Sequence, residues 1–322
     1  MTEISIKYVG FWDTWNIYNN KFNEALGINN RVRVIEKGSI ENPDILFYSR
    51  YTKGEHLNYD CIKIYFTGEN DFPDFNECDY ALSFHEVTFG ERHLRYPLYM
   101  LYEYDQLSNP LKISDKEAVN RKFCSLLMRN SNNCDPKRLR IIDEVGKYKD
   151  IDYGGSFRNN IGGNVDEKIP FIHGYKFNLA LENSVVDGYV TEKILEPMVA
   201  STIPIYWGSE RAKKDFNPEA FINVDDYDNL DNFLKALKRI DEDAELYLKM
   251  LRAPKLIKGV SPDFDSLLVE FLDNIAKKRR RYALPFGEIG NLLAKKKKMN
   301  PVVNNSLAFN VGRGISKILK TR

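Results

Sequence analysis

Short hydrophobic runs alternate with polar stretches through the first third of the chain. The runs are rich in Ile, Val, Tyr and Phe, and they lie at 4–11, 31–36, 44–50, 61–67 and 80–84. Between the first two runs, residues 15–26 have the composition of a helix. Because strands that alternate with helices usually form parallel sheets, this pattern predicts βαβ units in a first α/β domain.

A second set of alternating elements follows a polar segment. Residues 101–120 contain Asn109-Pro110 and are predicted to be a linker. Beyond them, strands are predicted at 123–128, 176–182, 203–207 and near 221–224, and helices at 136–148, 229–250 and 263–280. Two α/β domains leave a cleft between the carboxyl ends of their strands, where ligands of such sheets bind.

Charge is distributed unevenly along the chain. The 322 residues carry a net charge of +1, yet residues 277–322 hold thirteen Lys or Arg and one acid, Glu288. A basic tail on an acidic body indicates attraction to a polyanion. We expect an anionic membrane surface, with a solvated basic end as the alternative. Nucleic acid is not expected as a partner, because the charge is not part of a folded groove.

The cysteines and the first residues bear on the compartment. The four cysteines show no C-x-x-C spacing, so neither a zinc site nor a redox motif is predicted. No signal peptide is predicted at the first residues, and no run reaches the about 18 apolar residues that span a bilayer. We expect a cytoplasmic protein, attached at most peripherally to the inner face of the cytoplasmic membrane.

The segment 175–209 carries the clearest candidate chemistry. It has the pattern of strand, loop, helix and strand, with Thr191 as the helix N-cap and Glu192 and Lys193 in the first turn. Backbone N–H groups at a helix start and the Lys193 ammonium both favour an anionic group, and a diphosphate would fit. An ordinary βαβ crossover with a solvated Glu-Lys pair is the alternative. Pro197 is expected to kink this helix beyond its first turn.

The same segment resembles the signature of the α-1,3/4-fucosyltransferases, in their bacterial branch. The resemblance rests on Glu182-Asn183-Ser184, then 188–193, then 203–208, in that order. It extends to about 60–260 through similar stretches at 65–70, 79–86, 92–99, 154–159 and 215–224. It implies an α/β protein with the GT-B fold, in which two Rossmann-like domains face each other across a cleft. The implied division is an acceptor-binding domain at 1–118, a GDP-fucose-binding domain at 119–260, and a C-terminal helix with a basic amphipathic tail at 261–322.

The resemblance also implies an activity. It is the inverting transfer of L-fucose from GDP-β-L-fucose to GlcNAc of Galβ1-4GlcNAc-type acceptors, in lipopolysaccharide, O-antigen or oligosaccharide, with α-1,3 linkage. One alternative is α-1,4 linkage or another GT-B nucleotide-sugar transferase. A second alternative is a nucleotide-sugar- or carbohydrate-binding protein without turnover.

Individual residues take roles from the same resemblance. Glu86 matches the catalytic base, with His85 and His93 as rivals because imidazole titrates nearer neutrality. The matches to donor-binding positions are Arg158 and Lys193 for the diphosphate, Glu192 for the donor hydroxyls, and Asn183 and Tyr189 for the nucleotide-sugar. Acceptor contacts are expected from Trp12, Trp15 and His85, with core packing as the alternative for the two tryptophans.

No metal site and no required cofactor are expected. Two fixed cations can neutralise the leaving diphosphate, as Mg²⁺ or Mn²⁺ does in other transferases, although stimulation by either ion is compatible with this scheme. The pairs Asp225-Asp226 and Asp150-x-Asp152 resemble a D-x-D metal motif and are expected to be loop or capping acids instead.

Overall fold

The computed structural model describes residues 1–111, 113–129, 131, 134–257, 259 and 261–284. The second basic run at 295–298 and the apolar groups at Ile315, Ile318 and Leu319 lie outside the described residues. The prediction of membrane attachment therefore concerns mainly a segment that the structure does not describe.

The first domain is built on a six-stranded parallel sheet with the order β2-β1-β3-β4-β5-β6. Its strands are β1 (Glu3–Val9), β2 (Arg31–Val34), β3 (Ile45–Tyr48), β4 (Ile62–Phe66), β5 (Tyr80–Ser83) and β6 (His93–Arg95). Helix α1 (Lys21–Gly27) connects β1 to β2 and starts later than predicted, because Asn20 caps it by accepting from the Phe22 and Asn23 amides. Strand β6 was not predicted, since its half-buried edge position leaves little hydrophobic pattern.

The second domain has five parallel strands in the order β11-β10-β9-β7-β8. It comprises α2 (Asp115–Val119), β7 (Lys122–Leu126), α3 (Pro136–Tyr148), β8 (Ile151–Tyr153), α4 (Lys168–His173), β9 (Tyr175–Leu181), α5 (Glu192–Val199), β10 (Ile203–Trp207), α6 (Ala212–Asp215), β11 (Ile222–Asn223), α7 (Leu230–Glu242) and α8 (Ala244–Arg252). The helix predicted at 229–250 is two helices, because Asp243 caps α8 by accepting from the Glu245 and Leu246 amides. The predicted linker contains α2 and a short 3₁₀ turn at Tyr104–Ser108.

Both sheets reverse their strand order next to the first strand of the domain. In the second domain, β8 lies on one side of β7 and β9 lies on the other. The loops that leave β7 and β9 therefore turn in opposite directions and open a crevice at the carboxyl ends of these strands. This crevice is the expected position for a ligand of the second domain.

Helix α9 (Phe264–Lys278) returns from the second domain to the first. Its apolar residues Leu268, Leu272 and Ile275 belong to the same hydrophobic core as Phe22 and Leu26 of α1. That core also includes residues of α5, so the two domains share buried apolar surface instead of touching only through polar side chains. No helix within the described residues is long and apolar enough to cross a bilayer.

The first basic run, 277–281, is engaged in ion pairs. It contacts acids of the first domain and of its own helix: Lys277 with Asp273, Lys278 and Arg280 with Glu91, Arg279 with Asp44, and Arg281 with Asp60. The Tyr282 and Ala283 amides also donate to Asp79. These contacts hold the chain after α9 against the first sheet, so the described part of the basic tail serves an intramolecular interface.

Candidate active site

A cavity of about 1010 Å³ lies at the carboxyl ends of β7, β8 and β9, at the crevice that the strand order predicts. Its wall is polar and mostly from the second domain, with Tyr102 added from the segment that joins the domains. Its charged side chains are the cations Arg129, Arg138, Lys168 and Lys193 and the acids Asp166, Glu192 and Glu196, and its amide side chains are Asn164 and Asn183. Four cations against three acids leave the wall with a formal excess of one positive charge, which favours an anionic ligand.

A glycine shapes the floor of this cavity. A Cβ atom on Gly155 would lie 2.1 Å from the Met128 carbonyl oxygen, so only glycine lets the loop after β8 pack against the loop after β7. The backbone at these two loop positions is therefore close, and the space above it stays open for a ligand.

The start of α5 supplies a group of charged side chains. Thr191 is the N-cap, as predicted, and its side chain accepts from the Lys193 amide. Glu182 is completely buried and accepts from the Thr191 amide at 2.8 Å. The Lys193 Nζ lies 3.3 Å from both a Glu182 and a Glu192 carboxylate oxygen. Pro197 lies in the last turn of this eight-residue helix, after the cavity-facing turn.

These neighbours fix the charge state of the pair that faces the cavity. Burial opposes the charge of the Lys193 ammonium, but Glu182 and Glu192 outweigh it, so the pKa of Lys193 lies above its ordinary value. Burial likewise opposes the ionisation of Glu192, but Lys193 and Lys168 outweigh it and hold the pKa of Glu192 below its ordinary value. Both side chains are therefore charged at neutral pH.

Arg138 is a cation of the cavity wall that the sequence patterns did not single out, and Arg129 and Lys168 are two others. Arg138 lies on α3 and is 5% exposed, and its Nη1 donates to the Asn183 Oδ1 at 2.9 Å. Its buried Nε has no hydrogen-bond partner among the described residues. Arg138, Ile141, Ile142 and Val145 occupy helical positions i, i+3, i+4 and i+7, and all are buried. An arginine at a position of the apolar helix face is the sequence feature that would have indicated Arg138.

The structure does not bring Arg158 together with Lys193. The Arg158 side chain is 44% exposed and its Nη1 donates to the Asp143 Oδ1 at 2.6 Å. Its backbone is in the left-handed region, with φ of 51°. Because Asp143 on the outer face of α3 binds the guanidinium, Arg158 is not part of the cavity wall in this structure, contrary to the shared pocket expected from the sequence.

Asn183 lines the cavity, whereas Tyr189 lies beneath the surface where the domains meet. The Tyr189 ring is 2% exposed and packs edge-on against Phe84 of the first domain, with 5.0 Å between ring centroids. Gly188 has φ of +80°, and a Cβ there would lie 2.6 Å from the Phe84 carbonyl oxygen. Glycine is thus required for the loop after β9 to approach the end of β5.

Glu86 follows β5 and faces the second domain. Its half-buried carboxylate forms an ion pair with Arg211, which also pairs with Asp215 at 3.1 Å. Asp215 in turn binds both terminal nitrogens of Arg95 from β6, at 3.1 and 2.6 Å. This network of alternating charges joins the two domains and holds Glu86 at their boundary, and Glu86 is not among the residues that line the cavity.

The two histidines near Glu86 have different environments. His93 is bonded through both ring nitrogens, with Nε2 2.8 Å from the Ser83 Oγ and Nδ1 3.0 Å from the Val87 carbonyl oxygen. Burial lowers the pKa of His93 to about 4, so it is neutral and fully engaged. His85 stacks on Phe84 and meets Phe72 edge-on, and burial lowers its pKa as well.

Trp12 and Trp15 pack at the margin of the first hydrophobic core. They meet each other with 5.1 Å between ring centroids, and both contact Phe11. The Trp15 Nε1 is buried with no hydrogen-bond partner among the described residues. This packing agrees with the core alternative, and the expected acceptor contact of these two residues stays a prediction.

Three of the four acids that resemble a metal motif are engaged with lysines. Asp225 pairs with Lys137, Asp226 pairs with Lys213, and Asp152 accepts from Lys122 and from the Tyr175 hydroxyl. Within the described ranges, no group of three or more His, Cys, Asp or Glu side chains is arranged to hold a metal ion.

Two family descriptions match this chain one after the other. Residues 6–102 match the N-terminal domain of the α-(1,3)-fucosyltransferase FucT. Residues 116–258 match the C-terminal part of glycosyltransferase family 10 (fucosyltransferase). The chain belongs to glycosyltransferase family 10. Apart from Tyr102, every residue that lines the cavity of this chain lies in the region of the second match, 116–258.

Individual relatives agree with the family assignment. The α-(1,3)-fucosyltransferase FucT of Helicobacter pylori is 36% identical over 226 residues, which are 59% of this chain and 46% of that protein. The GDP-fucose protein O-fucosyltransferase 3 of Xenopus laevis is 30% identical over 203 residues, 57% of this chain and 42% of that protein. This chain therefore spans less than half the length of these relatives.

A solved structure covers much more of the chain. The crystal structure of an α1,3-fucosyltransferase with GDP-fucose matches with a TM-score of 0.72 and 28% identity, over 88% of this chain and 93% of that one. The same kind of enzyme with GDP matches with a TM-score of 0.73. The expected GT-B fold of this family 10 member is thereby confirmed.

Proposed function

We propose that this protein transfers L-fucose from GDP-fucose to a sugar hydroxyl, forming an α-1,3 linkage with inversion at the anomeric carbon. The observation that carries the proposal is the cavity at the start of α5, where Lys193 and Arg138 approach one space from two helices. The similarity to an α1,3-fucosyltransferase with GDP-fucose over most of both chains supports the same donor.

The donor diphosphate binds between the N-terminus of α5 and the side of α3. Lys193 contributes a point charge and Arg138 contributes a planar guanidinium that can bind phosphate oxygens through two N–H groups. Glu192, ionised beside Lys193, accepts hydrogen bonds from donor hydroxyls, and Asn183 orients Arg138. These groups are in place before the reaction, so they stabilise the charge of the departing GDP without rearranging.

In this proposal Arg138 takes the diphosphate-binding role that the resemblance implied for Arg158. Arg138 is buried at the cavity, whereas the Arg158 guanidinium is exposed and already paired with Asp143. A donor-binding role for Arg158 would require it to leave this ion pair, and it remains a prediction that the same binding experiment can test.

Glu86 is the proposed base. The acceptor oxygen attacks C1 of fucose on the face opposite the diphosphate, and its proton passes to the Glu86 carboxylate. The C1–O bond to phosphate breaks and GDP leaves with the electron pair, so a β-linked donor gives an α-linked product. Arg211 holds Glu86 at the domain boundary before the acceptor arrives. His93 is a poorer candidate, because both its ring nitrogens are already bonded.

No metal is required in this scheme, since Lys193 and Arg138 provide the positive charge at the leaving group. If Mn²⁺ or Mg²⁺ stimulates the reaction, the ion adds positive charge to that of Lys193 and Arg138 and does not replace it.

The acceptor is proposed to be a Galβ1-4GlcNAc-type glycan. A human relative named 4-galactosyl-N-acetylglucosaminide 3-α-L-fucosyltransferase 9 is 34% identical over 121 residues, 36% of this chain. The Xenopus relative is named for protein O-fucosylation. Peptides with Ser or Thr hydroxyls are therefore the second acceptor class for the assay.

The deciding experiment incubates the full chain with GDP-fucose and N-acetyllactosamine, lactose, a type 1 disaccharide or a Ser/Thr peptide, and determines the product linkage by NMR. We expect an α-1,3 product with release of GDP. Glu86→Gln should bind GDP-fucose normally and lose at least about 100-fold in kcat. The matched control is Glu55→Gln, an exposed glutamate of the same domain. Normal turnover by Glu86→Gln would remove Glu86 from the mechanism, and failure of the wild type to use any acceptor would overturn the proposal.

A further inference from the structure

An exposed aromatic side chain contacts His85, the residue before the proposed base. Phe72 is 55% exposed, whereas the large aromatic residues of the first sheet are buried. It belongs to the loop that leaves the carboxyl end of β4, the edge of a parallel sheet where ligands bind. A planar apolar ring exposed at this edge of the sheet is accessible to a ligand and offers a face for stacking.

The loop that carries Phe72 is held on several sides. The Tyr65 hydroxyl donates to Asp71 at 2.9 Å, and the Glu69 amide donates to the Thr67 Oγ1 at 3.0 Å. The Asn70 amide group donates across the domain boundary to the Ser184 Oγ at 3.2 Å. Phe72 is therefore exposed on an anchored loop at the mouth of the cleft. On the facing loop, Val185 is 49% exposed directly after Ser184.

Phe72 adjoins the residue next to the base. Its ring meets the His85 imidazole edge-on, with 4.8 Å between centroids, and His85 stacks on Phe84 at 3.9 Å. Glu86 is the following residue. A ligand ring lying on Phe72 would thus be placed beside His85, the residue that precedes Glu86 in the chain.

A chain of hydrogen bonds fixes which His85 nitrogen carries the proton. The Val87 carbonyl can only accept, so His93 Nδ1 carries a proton and, in neutral His93, Nε2 must accept from the Ser83 hydroxyl. The Ser83 oxygen then accepts from His85 Nδ1 at 3.1 Å, and it also accepts from the His85 amide. Neutral His85 is left with an unprotonated Nε2, which has no partner among the described residues.

We propose that Phe72 and His85 form the acceptor subsite: the apolar face of the acceptor sugar stacks on the Phe72 ring, and one of its hydroxyls donates to His85 Nε2. This inference rests on the proposed function, which supplies the sugar acceptor and Glu86 as its base. Trp12 and Trp15, which pack on the core, are not needed for this subsite.

The test measures acceptor and donor kinetics separately. Phe72→Ala should raise the acceptor KM roughly tenfold, the effect expected for losing one aromatic stacking contact. The KM for GDP-fucose should stay within about twofold, because Phe72 does not line the donor cavity. Phe72→Trp should keep the wild-type acceptor KM. Phe89→Ala is the matched control, since Phe89 is 45% exposed and contacts Arg92 and Phe75 instead.

The hydrogen bond to His85 is tested with acceptors that lack single hydroxyls. For the wild type, kcat/KM should be about tenfold lower with one of the deoxy acceptors than with the complete acceptor. For His85→Leu, kcat/KM should be almost the same with these two acceptors, because the variant already lacks the hydrogen bond that the deoxy acceptor cannot make. Wild-type acceptor KM in Phe72→Ala, or full additivity for every deoxy acceptor, would overturn the subsite while fucose transfer itself stands. A wild type that transfers fucose to no acceptor would instead overturn the proposed function and this inference with it.

Discussion

Replacement of Arg138 is the change that best separates the structural assignment from the one that the sequence favoured. In Arg138→Met, a side chain of similar length fills the space under Asn183 but carries no charge and no N–H groups. In Arg158→Met, the same chemical change is made at an exposed position, 44% exposed and paired with Asp143. The two variants are thus matched in chemistry and differ in where the guanidinium lies.

The expected magnitude follows from the contacts of each guanidinium. Arg138 is buried at the cavity, with Nη1 bound to Asn183 and with a buried Nε that has no partner among the described residues. A hydrogen bond to a charged group contributes about 1.5–3 kcal/mol, so Arg138→Met should weaken GDP binding by roughly 10- to 150-fold. The GDP affinity of Arg138→Lys should lie between those of the wild type and of Arg138→Met, because lysine keeps the positive charge and lacks the planar set of N–H donors. Arg158→Met should change the Kd by less than about threefold.

Isothermal titration of GDP into each variant at one fixed ionic strength measures these differences, since surface charges are screened by salt. Thermal unfolding in parallel shows whether each variant is folded, because Arg138 also contacts Asn183. Wild-type affinity in a folded Arg138→Met would refute the assignment. A loss of tenfold or more in Arg158→Met would show that Arg158 leaves Asp143 to bind the diphosphate, as the sequence predicted.

Two further predictions concern stability. Asp215→Asn should lower the free energy of unfolding by about 3 kcal/mol, because Arg95 and Arg211 lose a buried carboxylate that they share. Asp226→Asn, at an exposed ion pair, should lower it by less than about 1 kcal/mol. Urea unfolding measures both losses, and equal losses would contradict this reasoning. His93 has a folded pKa of about 4, below its ordinary value of 6.5, so the unfolded chain binds more protons between these values and stability falls as the pH drops through them. His93→Gln should remove about 3 kcal/mol of that acid-dependent loss between pH 7 and pH 4. An unchanged pH profile of unfolding would show that another group causes the loss.

The sequence by itself determined the local elements and the donor motif. Hydrophobic runs located β1, β3, β4, β5, β7, β9 and β10, because a buried parallel strand must be apolar on both faces. Thr191 as an N-cap and Lys193 in the first turn were readable because capping depends on residues close in the chain. Asn183 and Glu192 follow from the same short stretch, and all three of Asn183, Glu192 and Lys193 line the cavity.

Only the tertiary structure decided which distant side chains meet. Arg158 and Arg138 are both arginines near the second domain's loops, and packing alone turned Arg138 into the cavity while Asp143 bound Arg158. The basic run 277–281, which suggested a membrane contact, meets acids of the first domain because α9 returns to pack on α1. Charge and residue type are properties of the sequence, but the partner of a charge depends on long-range packing, which no local pattern encodes.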